Sequence, residues 1–273
     1  TVGNNKKLNN MKRITIIILT LLLSVSCQKD DSIDIQKQFV VDKIFDYNNN
    51  LLAEYFYNEN NQLIKRVTTD PINERSSDYE FQYLDNRISQ IEYIDYTFPQ
   101  FSHNIVIHYN EQGQIFKDET FKNNTLIGTK NYSYYSNGKI KGIIDNNGQE
   151  TITYIYNNTN NVEQVKILFQ DNGDISTTND YIERYFDYEY DNGNKPNFGI
   201  TQIFQFEPLP YFGTEAMFEK NISQNNMTKN VTSGTKWIYE YNELNLPKTI
   251  ETRWDGIETE EPMLLRIEYI EIE

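Results

Sequence analysis

The sequence predicts an all-β protein: an antiparallel up-and-down meander of hairpin repeats forming a strongly curved sheet or partial barrel. Three observations predict it. Aromatic segments ending in tyrosine recur at Tyr57, Tyr83, Tyr109 and Tyr135, at equal intervals of 26 residues, and a period in this range signals a repeat architecture. Side chains within a segment alternate. Tyr79, Phe81 and Tyr83 share one face against Glu80 and Gln82, and Ile105, Ile107 and Tyr109 share one against His108. Such alternation marks strands with one buried and one wet face. Pairs able to turn a hairpin at positive φ follow the segments: Asn137-Gly138, Asn147-Gly148, Asn172-Gly173 and Asn192-Gly193.

In chain order, residues 1–26 read as a signal peptide with an upstream extension. The extension is the polar TVGNNKKLNN before Met11. Lys12 and Arg13 form a charged start, and residues 14–23 form an apolar run. That run is shorter than the roughly 20 residues a membrane-spanning helix needs, but suits a cleaved signal. The single cysteine, Cys27, follows directly, and polarity then begins abruptly. Ser24-Val25-Ser26-Cys27 resembles the lipobox of bacterial lipoproteins, although Ser24 stands where Leu is usual. The resemblance implies a diacylglycerol on the Cys27 sulfur and Cys27 as the first mature residue. Two or more acyl chains anchor a protein stably.

Residues 27–37 form the expected lipidated tether. Its Gln28-Lys29-Asp30-Asp31 resembles the export signal of Bacteroidota lipoproteins, which implies display on the outer face of the outer membrane through Lys29, Asp30 and Asp31. Asp31-Ser32-Ile33 matches the short O-glycosylation pattern of that phylum, with Ser32 as acceptor.

Residues 38–273 carry the repeats. The aromatic segments recur around Tyr156, Tyr190 and Tyr241, with wider spacing late in the chain. Around Tyr135 the register slips, because Tyr132 and Tyr134 fall on the opposite face, so a bulge is expected there. Residues 199–229 read as an irregular cap over the sheet: Pro208 and Pro210 interrupt any strand, and residues 214–220 can form one short helix. The repeat unit resembles the YD repeats of RHS-type proteins, with Tyr109-Asn110-Glu111-Gln112-Gly113-Gln114-Ile115 nearest to that pattern. With residues 190–198, 223–229 and 241–251, the chain is similar to a family of Bacteroidota surface lipoproteins of unknown function whose domain is porin-like in fold. That resemblance implies a curved or barrel-like sheet and supplies no catalytic residues.

Composition narrows the function. The net charge is −15, and loss of Lys6, Lys7, Lys12 and Arg13 with the leader makes the mature chain more acidic by four. Such a surface repels phosphate backbones, so no nucleic-acid partner is expected. One cysteine and two histidines, His103 and His108, supply no metal-ligand set. No nucleophile elbow, phosphate loop or dinucleotide fingerprint occurs. Asp171-Asn172-Gly173-Asp174 and Asp191-Asn192-Gly193 read as turns rather than calcium loops. No cofactor, metal or catalytic residue is expected, and the chain reads as no enzyme.

The tyrosine-rich face, with Tyr83, Tyr109, Tyr156, Tyr190, Trp237 and Tyr241, is the candidate surface for a glycan or protein ligand, since sugars stack on such rings. The reading is an outer-membrane-anchored binding or scaffold module whose one membrane contact is its N-terminal lipid. The alternatives are a glycan hydrolase with paired carboxylates roughly 5–10 Å apart, or an RHS-related component of bacterial antagonism or immunity. An integral outer-membrane barrel conflicts with wet faces rich in Glu, Asp and Lys.

Overall fold

The computed structural model describes residues 38–70, 75–145, 147–170, 181–200, 218–256 and 263–272. They form sixteen strands: β1 (Gln38–Phe45), β2 (Leu51–Tyr57), β3 (Leu63–Asp70), β4 (Arg75–Leu84), β5 (Arg87–Asp95), β6 (His103–Tyr109), β7 (Ile115–Lys122), β8 (Thr125–Tyr134), β9 (Ile140–Ile144), β10 (Glu150–Tyr156), β11 (Val162–Gln170), β12 (Tyr181–Tyr190), β13 (Met227–Asn230), β14 (Thr235–Tyr241), β15 (Pro247–Trp254) and β16 (Met263–Ile272). A single α-turn, α1 (Phe218–Ile222), precedes β13, and a 3-10 turn (Pro99–Phe101) lies between β5 and β6.

Each strand pairs antiparallel with the next, and β1 pairs with β16, so the meander closes. The expected curved sheet is therefore a complete barrel. All sixteen strands send at least one buried apolar side chain into one core, among them Leu63, Ile88, Tyr154, Val162 and Ile250.

One hairpin design repeats at one end of the barrel, here called the tyrosine end. In most of these hairpins the chain leaves an even strand at a tyrosine, turns, and enters the next strand at an apolar residue, while β4 and β5 are joined through Asp85-Asn86, both at positive φ. In the turn starting at Asn110, its N–H donates to Gln114 O at 2.9 Å and Gly113 N–H donates back to Asn110 O at 2.9 Å. The Asn110 carboxamide oxygen accepts from Gln112 N and Gln114 N at 3.1 and 2.9 Å. Gly113 sits at φ 77°. Asn58, Asn157 and Asn242 repeat this geometry with Asn61, Asn160 and Asn245 at positive φ. A type I turn closed by a left-handed residue needs Gly or Asn at that place, which is why the sequence shows Tyr-Asn-x-x-Gly/Asn.

A β-bulge follows every described hairpin at this end. The register passes from His108↔Lys117 to Tyr109↔Ile115 and skips Phe116. In the same way Ile64, Ser89, Lys141, Glu163, Thr228 and Lys248 are skipped. Each bulge turns two side chains three residues apart into the core, as with Ile88 and Ile91, or Val162 and Val165. Strict alternation misreads that spacing. It also explains the slip around Tyr135: Tyr134 is the inward residue that pairs with Ile140, and Tyr135 opens the turn.

Two other expectations change. Met227–Asn230 is strand β13, so the irregular stretch ends before residue 229. Gly193 is absent from the positive-φ glycines. It is buried where a Cβ would run into the Tyr241 ring, so space rather than turning explains it.

Candidate functional site

Eight tyrosines ring the tyrosine end, one from each even strand, and each phenol donates to a backbone carbonyl of the preceding odd strand. Tyr57 reaches Val41 O at 2.5 Å, Tyr83 Leu63 O at 2.8 Å, Tyr109 Ile88 O at 2.8 Å and Tyr134 Ile115 O at 2.6 Å. Tyr156 reaches Ile140 O at 3.0 Å, Tyr190 Val162 O at 2.8 Å, Tyr239 Met227 O at 2.8 Å and Tyr269 Pro247 O at 2.8 Å. Seven of these acceptors are the residues just before a bulge. A bulge disrupts the ladder locally, and the phenol satisfies the carbonyl it releases. Burial pushes the Tyr83 and Tyr134 phenols up to about 12 and the other ring phenols with resolved shifts higher still.

The chain between β12 and β13 crosses this end. Asn197 O accepts from Val41 N at 2.8 Å, and the Phe198 ring lies 5.3 Å from Tyr55. On the other side Val162 N donates to Ser223 Oγ at 2.9 Å, and Asn161 and Asn225 bond reciprocally at 3.1 and 2.8 Å. Lys195 Nζ donates to the carbonyls of Lys220, Asn221 and Ser223 at 2.5, 2.9 and 2.9 Å, fixing the end of α1. Glu219 and Lys220 are buried, and the Lys220 ammonium sits 3.9 Å from the Trp237 ring centroid. The described parts of this connection, residues 191–200 and 218–226, plug this end, and residues 201–217 of the expected cap lie outside the described residues. The expected helix overlaps α1 at residues 218–220, and residues 214–217 lie outside the described residues.

The predicted site residues separate accordingly. Tyr83, Tyr109, Tyr156 and Tyr190 come together in the ring with their phenols bonded to the barrel's own carbonyls. Trp237 is buried beneath Lys220. Tyr241 lies two residues beyond the ring member Tyr239, donating to the Asp191 carboxylate and accepting from Asn226 Nδ2 at 3.2 Å. Cys27, Lys29, Asp30, Asp31 and Ser32 lie outside the described residues. So do residues 171–174.

Toward the opposite end, here called the rim, the inner face becomes polar and wetter. Arg66, Tyr79, Tyr93 and His103 stand side by side on four adjacent strands as register partners. The Arg66 guanidinium lies 4.6 Å from the Tyr79 ring, Tyr79 4.8 Å from Tyr93, and Tyr93 5.1 Å from His103. Asp118 is buried and accepts from the Tyr132 phenol. Burial holds its carboxyl above the usual range and holds the Lys130 ammonium, opposite it on β8, below its own. Arg66 and Asp118 interrupt the apolar pattern and face inward only because of the bulges after Leu63 and Ile115, whereas His103 continues the alternation of Ile105 and Ile107.

The outer face is ionic. Lys43–Glu54, Lys65–Glu80, Lys117–Glu119 and Lys166–Glu183 pair at 3.2, 3.1, 3.0 and 2.6 Å. His108 is there too, with Nε2 2.7 Å from Glu119 Oε2. Among the described residues no group of three or more His, Cys, Asp or Glu is placed to hold a metal ion.

No protein-family model matches the sequence, and no curated protein does. Among solved structures the chain is similar to a porin-like protein from Bacteroides uniformis, with 15% identity over 80% of this chain and 90% of that one, at a TM-score of 0.45. A porin-like protein from Bacteroides vulgatus shares 11% identity over 84% and 98% of the two chains, at a TM-score of 0.37. A chain of the Photorhabdus luminescens Tc holotoxin pore shares 12% identity over 83% of this chain and 12% of that one, at a TM-score of 0.28.

Proposed function

We propose that this protein is a lipid-tethered, non-enzymatic binding or scaffold module at the outer face of the outer membrane. Cys27 carries the acyl chains, Lys29, Asp30 and Asp31 direct export, and the barrel stands in water beside the membrane. The outer face carries the argument. A barrel that spans a membrane needs an apolar band around its outside, whereas Lys/Glu pairs clothe this one. The chain also enters β1 at the plugged tyrosine end. Gln38 lies eleven positions after Cys27, a reach of about 40 Å at most, so the tether keeps the barrel close to the membrane. A protein or glycan partner is met at the rim.

Two measurements test this reading. Intact mass spectrometry of the N-terminal fragment is expected to show a diacylated or triacylated Cys27. Protease added to intact cells is expected to degrade the wild type and spare a Lys29/Asp30/Asp31→Ala variant retained inside. Equal protection of both proteins would remove the export claim, and a bare Cys27 the tether.

A further inference from the structure

The stretch from Asp95 to His103, which joins β5 to β6 at the rim through the 3-10 turn, differs from the rest of the surface. Residues 96–102 hold no charged side chain, in a chain where 24% of residues are charged. Tyr96, Phe98 and Phe101 stand 55%, 39% and 56% exposed, and the rings of Phe98 and Phe101 meet edge to face at 6.0 Å.

These rings stand in water on a backbone that is tied down. Asp95 is buried, its Oδ1 accepts from Thr97 N at 3.0 Å and Phe98 N at 2.7 Å, and its N–H donates to Ser102 Oγ at 2.9 Å. Ser76 on β4 donates its N–H to Thr97 Oγ1 at 3.1 Å and accepts from Tyr96 N at 3.0 Å. Within the turn Phe101 N donates to Phe98 O at 2.8 Å and Ser102 N to Pro99 O at 3.1 Å. A backbone already ordered lowers the entropic cost of binding.

His103 adds one directional group. A carbonyl oxygen only accepts, so the 2.9 Å contact between His103 Nδ1 and Phe101 O places a hydrogen on Nδ1. In the neutral ring Nε2 is then an acceptor, and it has no hydrogen-bond partner among the described residues. The ring is held 5.1 Å from Tyr93, whose phenol donates to Asp95 Oδ2 at 3.1 Å.

We propose that this stretch binds a neutral glycan: a sugar ring lays its C–H face on Phe101 and Phe98, and one of its hydroxyls donates to His103 Nε2. The C–H bonds carry slight positive charge and meet the negative faces of the aromatic rings. Phe101 and His103 are two residues apart, about 7 Å along an extended chain, so one ligand reaches both. A peptide strand fits less well, because it needs free backbone groups. The N–H groups of Tyr96, Thr97, Phe98, Phe101 and Ser102 already donate within the stretch or to β4. A purely apolar ligand would cover Nε2 and leave it unpaired. An anion has no proton to give it, and the net charge of −15 opposes one. This deepens the proposed function and rests on it, since it takes the chain as a binder that leaves its ligand intact.

The probes are starch, mannan and xylan as neutral glycans and polygalacturonate as the acidic one, each with the full chain in a sugar-free detergent. Binding is read by affinity electrophoresis and by amide hydrogen exchange. The wild type is expected to bind at least one neutral glycan, with exchange slowed at residues 95–103. Phe101→Ala is expected to weaken binding on the order of tenfold and to leave thermal unfolding unchanged. His103→Phe keeps a ring without the acceptor and is expected to weaken binding similarly, whereas His103→Gln keeps a donor and an acceptor and is expected to restore much of it. Binding retained by both Phe101→Ala and His103→Phe, preference for polygalacturonate, protection elsewhere, or no neutral glycan bound overturns the site. Capture of a cellular protein by both variants as efficiently as by the wild type leaves the binding function standing and removes this stretch from it. A glycan that protects residues 95–103 but is shortened during incubation leaves the site standing and removes the non-enzymatic reading.

Discussion

The two ends of this barrel are built from the same strands and obey different rules. At the tyrosine end, turn, bulge and phenol recur from hairpin to hairpin, and Leu63 and Val162 are wholly excluded from water. At the rim, inner-face residues such as Phe169 and Ile182 stay 40% and 45% exposed, and adjacent hairpins differ in height. The difference locates stability in one end and leaves the other free to vary. If that division is right, matched substitutions at the two ends must differ sharply in cost.

The largest contrast is expected for large-to-small changes. Tyr154→Ala empties a fully buried position among the core strands and is expected to cost about 3–5 kcal/mol. Phe169→Ala is expected to cost under about 1 kcal/mol, because much of its ring is already in water. Urea unfolding of both variants makes the comparison, and equal losses would mean that the core extends to the rim.

Removing single hydroxyls refines it. Tyr109→Phe leaves Ile88 O without its phenol at a site water does not reach freely, at an expected cost of about 1–3 kcal/mol. Tyr185→Phe removes a hydroxyl that reaches the exposed Glu183 at 2.6 Å, and is expected to leave stability nearly unchanged. The ring members lie far enough apart that Tyr109→Phe and Tyr190→Phe should add nearly independently. A double variant much worse than the sum would show that the ring acts as one cooperative unit.

This contrast also explains what the sequence could and could not disclose. The tyrosine end was legible because its geometry demands specific residues: Asn or Gly at positive φ, an aliphatic residue after the turn, and a tyrosine about twenty residues later. Closure was not legible, because β1 and β16 lie at opposite ends of the chain and nothing local links Gln38–Phe45 to Met263–Ile272. The role of the tyrosines was half legible. Their inward alternation was plain, but their commitment to bulge carbonyls depends on a skipped residue that period-two reading treats as noise. Arg66 and Asp118 were hidden for the same reason, since each lies three residues after the inward aliphatic rather than two. The plug was read as an irregular stretch over residues 199–229, whereas the connection begins at residue 191 and ends at β13, and its seating depends on Asn197 and Ser223, ordinary polar residues whose partners Val41 and Val162 lie on other strands.

One ammonium ties the two described parts of the plug to each other. Lys195→Met keeps the stem and removes the charge from three carbonyls at the end of α1. The expected loss is about 1–2 kcal/mol, below that of a fully buried charged hydrogen bond because Lys195 is only part-buried. Exchange of the amides in residues 218–226 is expected to accelerate while the strand amides stay protected. Uniform acceleration across the barrel would show that plug and wall unfold together.

The smallest effect separates the two faces rather than the two ends. Asp118, inside, has its pKa raised above 3.8 mainly by burial, against the opposing pull of Tyr132, Lys130 and His108. Glu119 and Glu183, outside, are held below 4.5 by Lys117 with His108 and by Lys166 with Tyr185. Their signs oppose. As pH rises past 3.8 the unfolded chain releases the Asp118 proton while the fold still retains it, so this group's contribution to stability falls until the raised folded pKa is passed. The outer glutamates contribute above 4.5 and lose that contribution as pH falls through their lowered folded pKa values. Asp118→Asn keeps an oxygen for Tyr132 and removes the titration, so its stability relative to wild type is expected to improve as pH rises from about 4 into the window above it. Added salt should damp the outer contribution and leave the inner one, since screening reaches exposed pairs far more than buried groups. A constant difference between Asp118→Asn and wild type across that range would mean that Asp118 titrates as if in water, and that the inner face near β7 and β8 is open to solvent down to its carboxyl.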